Sequence, residues 1–131
     1  MSIGQFVRFY WPGLKGLILG RIDKGLRPLV FFEGDYTSRL EYLLELPKGS
    51  IFAHMDTSDI TRVHEVIGGH VCYSGNVPCS LIQTAGPEEV RDYTLKMLRV
   101  CAKDGGFIMS TRSPVDDAEP RCLKTLIDVT R

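Results

Sequence analysis

Val71-Cys72-Tyr73-Ser74-Gly75-Asn76-Val77-Pro78, followed by a polar link and then Gly86-Pro87-Glu88-Glu89-Val90, decides how this chain is read. An apolar run ends in small, polar residues. That is the pattern of a buried parallel strand delivering a loop to the mouth of an α/β fold. Pro87 stands at a helix start, where its missing N–H is harmless and its φ is already helical. Glu88 and Glu89 then meet the positive end of the helix dipole.

The same grammar repeats along the chain. Leu14, Leu17, Ile18 and Ile22 fall at helical spacing within Phe6 to Leu26, and Lys24-Gly25 can end that helix. Leu29 to Asp35 reads as a strand finishing in an acidic turn. Arg39 to Leu46 reads as a helix with Leu40, Leu43 and Leu44 on one face, closed by Pro47. Ser50 to Met55 is a second strand. Ile60, Val63 and Ile67 make a helical stripe that Gly68-Gly69 stops, and His70 to Ser74 is the third strand. Pro87 to Lys103 has the clearest periodicity, with Val90, Tyr93, Met97 and Cys101 inward. Phe107 to Ser110 is the fourth strand, and Pro120 to Val129 the last helix.

The order α-βα-βα-βα-βα predicts an α/β fold with four parallel strands joined by right-handed crossovers. With no linker or low-complexity tract, residues 1–131 are expected to form a single domain. The sheet is either small and open or half of an eight-stranded barrel. A complete barrel takes about 250 residues, so 131 is close to half of one. Half a barrel leaves two edge strands and one sheet face uncovered. The expectation is a fragment of a longer chain or an obligate assembly, through self-association or a missing N-terminal half-barrel.

Composition narrows the class. Sixteen basic and sixteen acidic residues cancel without clustering, which argues against a nucleic-acid groove or a polybasic membrane patch. No run of about eighteen apolar residues occurs, so neither secretion nor membrane spanning is expected, and the chain is placed in the cytoplasm. Cys72, Cys79, Cys101 and Cys122 lie 7, 22 and 21 residues apart and form no C-x-x-C pair, so they read as buried thiols in a reducing compartment.

An ordered set of motifs carries a resemblance: Phe31-Phe32-Glu33-Gly34-Asp35, Leu44-Glu45-Leu46-Pro47-Lys48-Gly49, Ser74-Gly75-Asn76-Val77-Pro78, Gly86-Pro87-Glu88-Glu89-Val90 and Asp104-Gly105-Gly106-Phe107-Ile108. Over nearly its whole length the chain resembles the C-terminal half of the uroporphyrinogen decarboxylase superfamily, which includes the corrinoid-dependent methyltransferases. The resemblance implies a (β/α)8 TIM barrel and selects its C-terminal half. Two departures matter. Family members usually have Gly-Thr-Pro-Glu-Glu at the helix start, whereas Ala85-Gly86-Pro87 puts glycine in place of the threonine cap. The decarboxylases carry Gly-His-Gly after the last strand, whereas this chain has Ser110-Thr111-Arg112-Ser113-Pro114. Their catalytic aspartate and arginines belong to the first half of the barrel.

In such a barrel the chemistry lies at the C-terminal ends of the strands. Glu33, Asp35, Asp56, Asn76, Ser110 and Arg112 are the substrate-binding candidates there. The competing structural readings are a turn cluster for Glu33 and Asp35, a helix cap at Asp56 or Ser58, a local Asx turn for Asn76 and a solvated cation for Arg112. In the methyltransferases a His-x-Cys on the first of these strands helps bind zinc. Phe31 and Glu33 occupy those positions here; Glu33 could still be a hard oxygen ligand, but a phenylalanine is none, so zinc is doubtful. Glu33 and Cys79 remain as residues with metal-ligand chemistry near the mouth. His70-Val71-Cys72 would point to the barrel bottom, His54 reads as a satisfied core histidine and His64 as a surface one.

The resemblance implies a methyltransferase moving a methyl group between a small donor and a cobalamin carried by a partner corrinoid protein. The alternatives are a uroporphyrinogen decarboxylase of porphyrin biosynthesis and a noncatalytic half-barrel. No catalytic residue is assigned, and the chain alone is expected to be inactive.

Overall fold

Four strands lie side by side in chain order, β1 (Leu29–Phe32), β2 (Phe52–Met55), β3 (Cys72–Val77) and β4 (Phe107–Thr111), all parallel. The computed structural model describes residues 1–131. Before β1 come α1 (Ile3–Gln5), a π-helical turn (Phe6–Tyr10) and α2 (Trp11–Ile22). A 3₁₀ stretch (Thr37–Glu45) links β1 to β2, and α3 (Ile60–Ile67) links β2 to β3. The connection from β3 to β4 holds α4 (Cys79–Thr84) and α5 (Pro87–Cys101), and α6 (Pro120–Thr130) ends the fold. No helix is long and apolar enough to cross a membrane.

Right-handed crossovers that never reverse the strand order put every connecting helix on the same side of the sheet. The register agrees. Val30, Ala53, Tyr73 and Phe107 stand in one row, and they and Phe32, Met55 and Val77 face the helices. Ala53, Met55 and Val77 are fully buried there, under Val63 and Ile67 of α3 and Val90 and Cys101 of α5. The opposite face carries Leu29, Phe52 and Cys72, then Phe31, His54, Ser74 and Ile108, then Asn76 and Ser110. Nothing covers it: Leu29, Phe31 and Ile108 are 66%, 47% and 53% exposed.

Several elements differ from the sequence reading. Arg39 to Leu46, expected as an α-helix, is 3₁₀ over Thr37–Glu45. Its buried leucines are Leu40, Leu43 and Leu46, three apart, while Leu44 faces solvent at 42% exposure. Residues i and i+3 eclipse in a 3₁₀ helix, so this spacing suits the tighter winding. The third strand runs Cys72–Val77 instead of His70 to Ser74, because Gly75, Asn76 and Val77 pair with Met109, Ser110 and Thr111. The polar link after Pro78 folds as α4, a helix too short to display a period. The first helix starts at Ile3, where Ser2 and Gln5 form a reciprocal capping box. Gly86 caps α5 without a side-chain bond, as the missing threonine implies.

Two contacts anchor α2 to the 3₁₀ stretch: Trp11 Nε1 donates to Glu45 Oε2 at 3.0 Å, and Lys15 Nζ lies 2.7 Å from the same oxygen. The lysine bond and then the indole bond hold the Glu45 carboxyl below its ordinary value of 4.5. A lowered folded-state pKa means that this tie is present above the unfolded value and is lost as pH falls through the folded one. Trp11 is the only tryptophan. Its emission is therefore expected to hold steady through pH 4.5 and to change only below it; a midpoint above 4.5 in a fluorescence titration would contradict the pairing.

Gly75 in β3 has φ +137°, and a Cβ there would lie 2.7 Å from the Met55 carbonyl oxygen. Gly75→Ala is expected to destabilise the fold by about 2 kcal/mol. Urea unfolding measures this as a lowered midpoint with an unchanged slope.

Candidate functional site

The C-terminal ends of β2, β3 and β4 send alternate residues to the uncovered face: His54 then Asp56, Ser74 then Asn76, Ser110 then Arg112. Within the strands the register sets this for His54, Ser74, Asn76 and Ser110, while Asp56 and Arg112 follow directly on the ends of β2 and β4. Four of the six expected contact residues, Asp56, Asn76, Ser110 and Arg112, come together in this way. Glu33 and Asp35 stand apart on the loop after β1, both exposed.

Asn76 holds the mouth in shape. It is 3% exposed, and its Nδ2 donates to the Asp56 carbonyl at 2.8 Å and to the Ser58 carbonyl at 2.6 Å. This is a clamp from β3 onto the loop after β2, where a local Asx turn was the alternative. That loop is stitched in turn to the loop after β1. Asp56 Oδ2 accepts from the Gly34 N–H at 2.8 Å, and Ser58 Oγ accepts from the Tyr36 N–H at 2.9 Å. Neither Asp56 nor Ser58 caps α3; Asp59 does, accepting from the N–H groups of Thr61 and Arg62.

Arg112 follows β4, its backbone N–H bonded to the Val77 carbonyl at 2.9 Å. Its Nε is buried without a hydrogen bond and lies 4.0 Å from Asp56 Oδ1. The pair is a loose ion pair, and the side chain keeps 34% exposure. The guanidinium thus has donor capacity left for a planar, oxygen-bearing group.

His54, read from the sequence as a satisfied core histidine, is satisfied at both ring nitrogens but does not lie in the core. It lies on the open face, stacked on Phe31 with ring centroids 4.5 Å apart. Its Nε2 is 3.1 Å from the Arg112 carbonyl, which only accepts, so Nε2 carries the proton. In the neutral ring Nδ1 then accepts, and the Ser74 hydroxyl donates to it at 2.8 Å. Ser110 Oγ is 3.5 Å from the same nitrogen. His54 and Ser110 line an open hollow of about 280 Å³ with Leu29, Phe31, Thr111, Ser113 and Pro114. The two-residue spacing to Asp56 was the signal that would have found His54.

Asp35 Oδ1 accepts from the Thr37 N–H at 2.8 Å, and this bonding to Thr37 lowers the Asp35 carboxyl pKa. This is a local turn bond just ahead of the 3₁₀ stretch, whose N-cap is Tyr36. Cys79 Sγ lies 3.2 Å from Ser113 Oγ and ties the start of α4 to the loop after β4. His70 Nε2 is 2.8 Å from the Leu46 carbonyl, at the end of the sheet away from the mouth. His64, expected at the surface, turns inward, with Nδ1 2.9 Å from the Tyr73 hydroxyl. Burial pushes the Tyr73 phenol pKa far up, so it stays protonated at neutral pH.

No three His, Cys, Asp or Glu side chains converge, and both His54 ring nitrogens are engaged. What the mouth can do is orient. It offers one guanidinium, one carboxylate and a row of hydroxyls above an apolar floor.

Asn76→Ala would strand the Asp56 and Ser58 carbonyls and is expected to cost about 2–3 kcal/mol. Chemical denaturation measures that loss. A change under 0.5 kcal/mol, the usual range for surface substitutions, would show that the clamp is dispensable.

No protein-family model matches the chain, and no curated protein matches it.

Proposed function

We propose that this chain is the C-terminal half of a (β/α)8 barrel of the uroporphyrinogen decarboxylase type and that its mouth serves methyl transfer. The observation that carries the reading is the convergence of Asp56, Asn76, Ser110 and Arg112 with His54 at the carboxyl ends of parallel strands, on a sheet face that no helix covers. Ligand chemistry in parallel barrels gathers at that end. The one-sided layer of helices is the arrangement half a barrel requires.

In this reading Arg112 and Asp56 hold the polar end of a small methyl donor, and Ser110 of β4 and Ser113 of the loop after it meet it from the other side. The apolar floor of Leu29 and Phe31 seats the methyl-bearing part and excludes water. The corrinoid enters as a substrate on a separate carrier protein. No step is assigned to it. Zinc is not part of this reading, because Phe31, which stacks on His54, stands where the family has a histidine ligand. The sequence Thr111-Arg112-Ser113 in place of Gly-His-Gly favours the methyl-transfer branch.

Arg112 also suits the carboxylates of a porphyrinogen, which supports tetrapyrrole decarboxylation as the second reading. Equilibrium dialysis of the purified chain against methylcobalamin and, separately, uroporphyrin distinguishes the two. The methyl-transfer reading expects methylcobalamin to be retained. Retention of uroporphyrin alone moves the function to the decarboxylase. Retention of neither leaves a noncatalytic half-barrel.

A further inference from the structure

The exposed apolar side chains are unevenly placed. Apart from Leu44, every large one lies in the N-terminal helical segment, beside or on β1, on β4 or on α6. Those are the two ends of the half-barrel and its open face. At one end α2 bares Gly13, Gly16 and Gly20, where an added Cβ would meet nothing within 4 Å, and Leu17 among them is 60% exposed. At the other end Leu123 and Ile127 project from α6, one helical turn apart, at 39% and 45% exposure. Between them run two unpaired strand edges, Leu-Val-Phe-Phe in β1 and Phe-Ile-Met-Ser-Thr in β4. Neither edge strand carries a charge, a proline or a bulge, the devices by which exposed edges are protected.

From these features we infer that a second copy of this chain covers the open face, so that two chains close one eight-stranded barrel. The inference rests on the half-barrel reading above. A two-fold axis along the barrel pairs β4 of each copy with β1 of the other, parallel at both seams, and leaves no edge open. At each seam α6 of one copy lies beside α2 of the other, and Leu123 and Ile127 enter the surface the glycines leave bare. Both sides of the seam are thus present in a single chain, which is why the occupant is a second copy and not an unrelated partner.

The open face is chemically ready for burial. Leu29, Phe31, Phe52 and Ile108 supply side chains to fill a barrel interior. Two of the polar groups above them are already satisfied within the chain: His54 by Ser74 and the Arg112 carbonyl, and Asn76 by two carbonyls. Closure therefore removes apolar surface from water without stranding these donors. It also completes the site. The hollow lined by Leu29, Phe31, His54 and Ser110 lies open along the sheet face, and only a covering half gives it a far wall.

Light scattering of the purified full chain over a range of concentrations tests this, with circular dichroism to confirm folding. The expected result is a mass of two chains. In the pair, native thiol labelling of Cys72 on the inner face is expected to be slow. Ile108→Glu places a charge on the covered face and is expected to give one-chain particles with faster Cys72 labelling. Leu123→Lys at the helical seam, which leaves the inner face untouched, is expected to weaken the pair in the same direction. A folded one-chain mass for the unaltered protein overturns the inference, as do aggregation and open-ended oligomers. So does a pair whose mass and Cys72 labelling are indifferent to both substitutions. The readouts need no ligand: a one-chain protein that retains methylcobalamin refutes the closure alone, and a two-chain protein that retains neither tetrapyrrole refutes the methyl-transfer reading alone.

Discussion

A parallel sheet whose strands follow one another in chain order can cover only one of its own faces. Each crossover has the same hand, so each helix lands on the same side. Everything else in this molecule follows from that asymmetry. Side chains at alternate positions are sorted into a dry set, such as Ala53, Met55 and Tyr73, and an uncovered set, such as Leu29, Phe31 and Ile108. Ser74 and Asn76 belong to the uncovered side and are buried all the same. Their cover is local: His54 and the loop after β2.

The mouth is rigid for a related reason. A loop at the end of a strand has backbone groups with no sheet partner, and each needs one. Here the partners come from neighbouring strand ends: Asn76 takes the Asp56 and Ser58 carbonyls, and Asp56 and Ser58 take the Gly34 and Tyr36 N–H groups. Two successive loops are thereby locked to each other and to the end of β3. Arg112 is the exception, with a buried Nε and only a loosely placed carboxylate beside it. Where neighbours are satisfied and one strong donor is not, the unsatisfied donor is the group through which a ligand gains most.

Much of this was legible in the sequence. Apolar runs ending in small polar residues located all four strands, and the alternation of strands with helices fixed their parallel direction. Asp56, Asn76, Ser110 and Arg112 were found because they stand at the ends of apolar runs. Three features escaped for distinct physical reasons. Leu40, Leu43, Leu44 and Leu46 fit an α-helical stripe and a three-residue repeat almost equally well, and only burial separates them. Gly75 and Asn76 are turn formers by local propensity, but pairing with Met109 and Ser110 holds them in a strand. His54 looked like a core residue because its strand is apolar, whereas its face is decided by a register that depends on β1 and β3.

The polar network and the apolar floor place opposite demands on water. The hydroxyls of Ser110, Thr111 and Ser113 and the guanidinium of Arg112 act most strongly where water is scarce, because the same charge or dipole interacts further in a medium of low polarisability. An uncovered sheet face keeps water in contact with them and screens whatever they bind. The chemistry at the strand ends therefore needs the cover that the crossovers cannot provide. In the proposed half-barrel reading, a covering wall would bury Leu29 and Phe31 and dry the mouth at the same time.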